Sequence, residues 1–420
     1  MSSELMSPGL IENATLNPVQ MDLDDPLAPM RQKFDLPEGL IYLNGNSLGP
    51  LPRSTRQRMQ RVVEQEWGQG LIRSWNSADW ISMPQRIGGL IAPLIGAQAE
   101  EVIVADSTSV NLFKLIHAAL KLNPGRNKIV TELGNFPTDL YILQGIARDI
   151  DIELCAVERD QLVKALDSNT ALLVLTQVHY KSGEMFDLDE MTRHAHEVGA
   201  IILWDLSHST GAVPVDLNRA RADLAVGCGY KYLNGGPGAP SFLYVAQRHQ
   251  ADFEQPLTGW FGHAQPFAMS DEFLPAEGIT RALCGTAPVL GCAALEEGVQ
   301  LALEADMQRV REKSVALCEL FISLVDQSLS EFDFQIATPR EASLRGSQVS
   351  LRHEQAYPIM QALIAAGVVG DFRAPDILRF GFAPLYIRFV DVERAVEKLT
   401  CVMVDEHWRE ARFQIRTKVT

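Results

Sequence analysis

Residues 201–238, IILWDLSHSTGAVPVDLNRARADLAVGCGYKYLNGGPG, decide how the rest of this chain is read. The segment opens with an apolar run over 200–204, bounded by Gly199 and Asp205, which is the length and composition of a buried strand. Asp205 falls where that strand ends, and in an open parallel sheet ligands bind at the carboxyl ends of the strands. His208 follows three positions later. A second apolar run over 222–226 leads into Gly227-Cys228-Gly229-Tyr230-Lys231, and Asn234-Gly235-Gly236-Pro237-Gly238 closes the segment. Lys231 therefore stands between flexible backbone and the hydroxyl of Tyr230.

A lysine that joins a carbonyl must be able to shed its proton, and an acid opposite a pyridine nitrogen must stay ionised. Taken singly, these residues have ordinary explanations: Asp205 as a helix cap, His208 as a satisfied loop histidine, Lys231 as a solvated charge. Together, at two successive strand ends, they favour a site.

Strand and helix alternate through the middle of the chain. Strands are expected at 101–105, 128–131, 152–155 and 172–175, with helices at 110–120, 140–149 and 188–198, the pattern of an α/β fold with a mostly parallel sheet. A helix at 55–67 precedes them, and residues 1–30, with Pro8, Pro18, Pro26 and Pro29, read as a loose arm. Past Gly291 the spacing of Leu295, Val299, Leu303, Met307 and Val310 predicts one long amphipathic helix. Strands at 347–351 and 377–380 and helices at 360–366 and 390–404 then predict a smaller α+β unit. The expected domains are an arm and entry segment at 1–59, a large domain at 60–290 and a small C-terminal domain at 291–420.

A chain of 420 residues exceeds what one core usually serves. Its net charge of -16, without a dense Lys/Arg run, argues against nucleic acid and anionic membrane surfaces as partners. Six scattered cysteines with no CxxC pair fit free thiols rather than disulfides or a zinc site, so no metal is expected. The N-terminus is acidic where a signal peptide is basic, and no apolar run reaches the length of a membrane span. A soluble cytoplasmic protein is the expectation.

Asp106-Ser107-Thr108-Ser109, between a strand and a helix, offers the hydroxyls and N–H groups a phosphate needs, though Ser and Thr also serve as ordinary caps. No GxxxxGK[ST] loop competes with it. Phe136, at a strand-to-helix turn, could stack on a planar ring or belong to the core. Arg379 lies between apolar residues, where an unpaired charge is costly and a carboxylate is a natural partner; a surface salt bridge fits that setting poorly.

Several longer strings carry a resemblance. WDLSHSTGAVPVDL and GYKYLNGGPG, with YLNGNSLG at 42–49, WGQGLIRSWN at 67–76, NFPTDLY at 135–141, PLTGWFGH at 256–263 and RFGFAPLY at 379–386, resemble the kynureninase family. The resemblance implies a fold-type-I pyridoxal-phosphate enzyme that hydrolyses L-kynurenine, with its 3-hydroxy form as a second candidate substrate, to the anthranilate and L-alanine, in tryptophan catabolism and NAD biosynthesis. It further implies that Ser107 and Thr108 hold the cofactor phosphate, that Phe136 stacks on its ring, and that Pro137, Thr138 and Asp139 lie against it. Asp205 would pair with the ring nitrogen, with His208 beside it. Lys231 would carry the cofactor aldehyde and act as base, and Tyr230 would contact the phosphate and move a proton. Trp260 and Thr286 would reach the phosphate from the other subunit of a homodimer whose active site is at the interface, and Arg379 would bind the carboxylate of the small amino-acid substrate. His117, Phe261 and His263 are further candidates for substrate preference.

Two alternatives stay open on the residues alone. A cysteine desulfurase or aminotransferase of the same fold is one; a desulfurase needs a mobile cysteine, for which Cys284 is the candidate. A silent binding protein on this scaffold is the other, and it would be expected to lose Lys231 or Asp205.

Overall fold

The computed structural model describes residues 17–416. Its main sheet has seven strands in the order Val102–Ala105, Ser241–Val245, Leu224–Gly227, Ile201–Asp205, Thr170–Thr176, Lys128–Glu132, Glu153–Val157. Ser241–Val245 runs antiparallel to both neighbours, and the other pairs are parallel. Central strands such as Thr170–Thr176 and Ile201–Asp205 are buried along their whole length, which is why they read as continuous apolar runs rather than alternating ones.

Successive residues of these strands feed two cores. Leu173, Leu175, Ile202 and Trp204 pack with Ile87, Met191 and Leu295 on one face. Leu172, Val174, Ile201 and Leu203 pack with Leu112, Leu115, Leu143 and Ile146 on the other. Helices therefore cover both faces, as the alternation of elements predicted.

A third core joins the C-terminal elements. Its four-stranded antiparallel sheet runs Asp371–Arg373, Ile377–Gly381, Gln348–Arg352, Gln335–Ile336, backed by Met307–Ser328, Ala356–Ala365 and Phe389–Val404. Leu27, Met30, Phe34 and Leu43 belong to the same core.

Three expectations need correction. The segment after residue 16 is not a loose arm: Pro18–Leu23 is a helix, Asp22 accepts from the amides of Phe389 (2.7 Å) and Val390 (3.2 Å), and Asp25 forms a buried ion pair with Lys313 at 2.7 Å. Those two carboxylates anchor it, so low periodicity did not mean loose packing. Residues 1–16 of the expected arm lie outside the described residues. The single long helix past Gly291 is two, Val289–Leu303 and Met307–Ser328, because Asp306 caps the second by accepting from Arg309 N at 3.0 Å. The helix expected at 55–67 is regular only over Arg53–Arg61 and widens into a π-helix over Val62–Gly70. Among the described residues no helix is long and apolar enough to cross a membrane.

Candidate active site

Thr176 and Asp205, the last residues of adjacent parallel strands, are direct partners in the sheet register. A cavity of about 460 Å³ opens at these strand ends. Ser107, Thr108, Phe136, Thr138, Asp139, Asp205, His208, Tyr230 and Lys231 line it, so nine residues singled out from spacing and resemblance meet in one place.

One end of the cavity is built for an anion. Ser107 caps the helix Thr108–Leu122, its Oγ accepting from Val110 N. Thr108 donates to the Ser241 hydroxyl at 3.3 Å, which donates to the Gly227 carbonyl at 2.7 Å. Hydroxyls at a helix N-terminus form a site where a phosphate is stabilised by N–H groups and by the helix dipole.

The floor holds two buried carboxylates. Asp205 accepts from Ser207 N at 2.7 Å; burial raises its pKa, and the charge of Lys231 opposes that rise. Asp139 accepts from the Thr176 hydroxyl at 3.2 Å, while its Oδ1 has no partner among the described residues. Burial, then the charge of Asp205, pushes Asp139 well above the usual carboxylate range. His208 is buried as well, with Nδ1 unpartnered among the described residues. Burial pulls its pKa well down, and the charges of Lys231, Arg379 and Arg373 act in the same direction, so it is neutral.

Lys231 Nζ lies 5.8 Å from the ring centroids of both Phe136 and Tyr230. Phe136 is held edge-on by Tyr180, 5.3 Å away. Burial raises the Tyr230 hydroxyl, with Cys228 and Asp205 adding to the effect. The Tyr230 carbonyl accepts from Gly49 N at 2.8 Å, and the Lys231 carbonyl from Asn234 N at 3.0 Å. The YLNGNSLG turn thereby braces the lysine loop.

Four residues named from sequence do not line the cavity. Pro137 is the first residue of the helix Pro137–Asp149, where its missing N–H costs nothing. Trp260 is 40% exposed, its ring 4.4 Å from Phe261, and Thr286 is exposed. Arg379 is almost fully buried and paired with Asp371, so the salt bridge that seemed out of place exists, inside the protein rather than on its surface. His117, Phe261 and His263 are also absent from the cavity wall. Conversely, Thr176, Tyr180, Ser207 and Ser241 line it and were not anticipated. Thr176 had a signal, its place at the carboxyl end of a strand; Ser241 had none, because it enters on the antiparallel strand.

Comparison with known proteins gives a consistent picture. Residues 310–399 match a family model described as the kynureninase C-terminal domain, and residues 89–218 match that of the DegT/DnrJ/EryC1/StrS aminotransferase family. A cysteine desulfurase from Thermococcus onnurineus NA1 superposes with a TM-score of 0.75 at 19% identity, covering 90% of this chain and 98% of that one. A C-DES mutant with glycine covalently linked to the PLP cofactor superposes with a TM-score of 0.77 at 16% identity, covering 88% and 98%. At such identities these two matches speak for the fold alone, which is that of fold-type-I enzymes. The kynureninase of Burkholderia mallei (strain SAVP1) is 51% identical over 408 residues, 95% of this chain and 98% of that protein. The chain belongs to the kynureninase family.

Proposed function

We propose that the cavity at the strand ends is the catalytic centre of a pyridoxal-phosphate enzyme that hydrolyses L-kynurenine to anthranilate and L-alanine, a step of tryptophan breakdown. The observation that carries this reading is the meeting of Lys231, Asp205 and the Ser107-Thr108 helix start on one cavity. The residues fit the cofactor: a hydroxyl-rich helix N-terminus for phosphate, a buried carboxylate for a ring cation, and Asp139 Oδ1 and His208 Nδ1, which have no partner among the described residues, for further polar atoms. When bound, pyridoxal phosphate supplies an electron sink for negative charge at the substrate's α-carbon.

The chain's own groups do the rest. Ser107, Thr108 and Ser241 would hold the phosphate. Asp205 would pair with a protonated ring nitrogen, and neutral His208 would offer a hydrogen bond without a competing positive charge. Phe136 would stack on the ring, Pro137 starts the helix that carries the next residues, and Thr138 and Asp139 would be further contacts to the cofactor. Lys231 would hold the cofactor through its amine and would serve as the base for the proton on the substrate's α-carbon. Tyr230, kept protonated by burial, donates a proton to the three-carbon product. Arg379 binds the substrate carboxylate.

Trp260 and Thr286 are read as completing the partner's site in a homodimer. The exposed apolar side chains of Trp67, Leu71, Ile72, Trp260, Phe267 and Met269 support a subunit interface. The free state of all six cysteines supports a reducing, cytoplasmic setting.

Fluorescent anthranilate release from L-kynurenine, run beside 3-hydroxy-L-kynurenine, tests the reaction and its preference. Lys231→Ala should remove the absorption of lysine-bound cofactor and lower kcat by at least about 10³-fold. A variant that kept both would remove Lys231 from this role.

A further inference from the structure

Arg379 has little left to offer a substrate by itself. Its guanidinium carries five N–H donors. Nε donates to Asp371 Oδ1 at 2.8 Å, and Nη2 donates to Asp371 Oδ2 at 2.5 Å and to Ser47 Oγ at 2.7 Å. Nη1 donates to the Tyr180 carbonyl at 2.6 Å. Four donors are committed and one, on Nη1, remains, whereas a fork-to-fork grip on a carboxylate needs two parallel N–H groups.

The same carboxylate holds a second arginine. Asp371 lies opposite Arg379 in the antiparallel register, and Arg373, two residues along the same strand, points to the same face of the sheet. Arg373 Nη2 donates to Asp371 Oδ2 at 2.7 Å and to Ser47 Oγ at 3.3 Å, while its Nε is buried with no partner among the described residues. Two guanidinium groups thus share one carboxylate beside Tyr180, a wall of the cavity, and no other ion pair of either arginine is seen among the described residues. Both charges are felt by Tyr180 and His208, which line the cavity.

We propose that Arg373 is a second substrate-binding residue: with the remaining Nη1 donor of Arg379 it forms a two-arginine clamp for the substrate's α-carboxylate, and Asp371 and Ser47 position the pair. The inference rests on the reading of Arg379 as the carboxylate site. Arg373 is 36% exposed on its side chain and Arg379 only 2%, so Arg373 is the arm that can adjust when substrate enters.

The test compares two inhibitors of the holoenzyme: the deamino analogue of kynurenine, which keeps the aryl ketone and the carboxylate, and its primary amide. Wild type should prefer the acid by at least about tenfold. Arg373→Gln should erase most of that preference and raise KM for L-kynurenine, with kcat at saturation changed by less than about threefold, since the contact is made equally before and during reaction. Arg373→Lys, which keeps charge but not the fork, should fall between them. Arg379→Lys is the control. If it loses the acid preference while Arg373→Gln and Arg373→Lys both keep it, the clamp is overturned and Arg379 stands alone. If none of the three loses it, the carboxylate binds elsewhere and the reading of Arg379 falls too. An unchanged spectrum of bound cofactor confirms that each variant is folded.

Discussion

Lys114, completely buried on the helix Thr108–Leu122, forms an ion pair with Asp106, the residue that turns the strand Val102–Ala105 toward that helix. Asp106 has φ +42°, a left-handed conformation that Asp and Asn tolerate. The lysine's other partner is the Ala282 carbonyl, at 2.8 Å. Asp106→Asn would keep the shape and the backbone conformation while leaving a buried ammonium without a counter-charge. The expected cost is about 3 kcal/mol, read as a lower urea midpoint, together with weaker cofactor retention because Ser107 and Thr108, proposed to hold the phosphate, follow directly. An unshifted midpoint would mean that the pair contributes nothing.

Gly49 marks a close approach of two backbones. A Cβ there would lie 2.4 Å from the Lys231 carbonyl oxygen and 2.8 Å from Asn234 Cα. These atoms belong to the loop that carries the lysine, so the collision cannot be relieved by turning a side chain. Gly49→Ala should cost about 2 kcal/mol and release cofactor on dialysis, followed by thermal melting and by the visible spectrum. Full retention of the spectrum would show the loop to be more yielding than its packing implies.

His208 makes folding depend on pH. Burial holds its folded pKa well below the ordinary value of about 6.5, so in acid the unfolded chain binds a proton that the native one refuses. Stability from this group is complete above about pH 6.5 and declines as pH falls below it. His208→Gln apoprotein should show a flatter decline than wild-type apoprotein between about pH 6.5 and 5 in urea titrations. Parallel curves would indicate that the histidine is protonated in the folded state.

The large sheet was legible because fully buried parallel strands leave continuous apolar runs, as residues 171–175 and 201–204 do within Thr170–Thr176 and Ile201–Asp205. That Asp205 and Lys231 would line one cavity was legible because strand ends gather in a parallel sheet. The end of the first C-terminal helix was not, since the apolar period runs on through Leu303 and Met307 while a single side chain, Asp306, resets the hydrogen bonding. Arg379 could be seen to need a partner, yet nothing in local sequence marks Asp371 as that partner, because the register of two short strands decides it. The docking of Asp22 and Asp25 on Phe389 and Lys313 was equally hidden, a contact between distant parts of the chain that leaves no periodic trace.

Ser47 and Arg379 are hydrogen-bonded at 2.7 Å although 332 positions separate them. The two partners of this contact are therefore made at very different times. On the ribosome, every strand of the large sheet and the loop bearing Lys231 emerge before Asp371, Arg373 and Arg379 have been synthesised. A nascent chain carries the residues that line the cavity before it carries Asp371, Arg373 and Arg379, and Ser47 meets these partners only after most of the chain has been made.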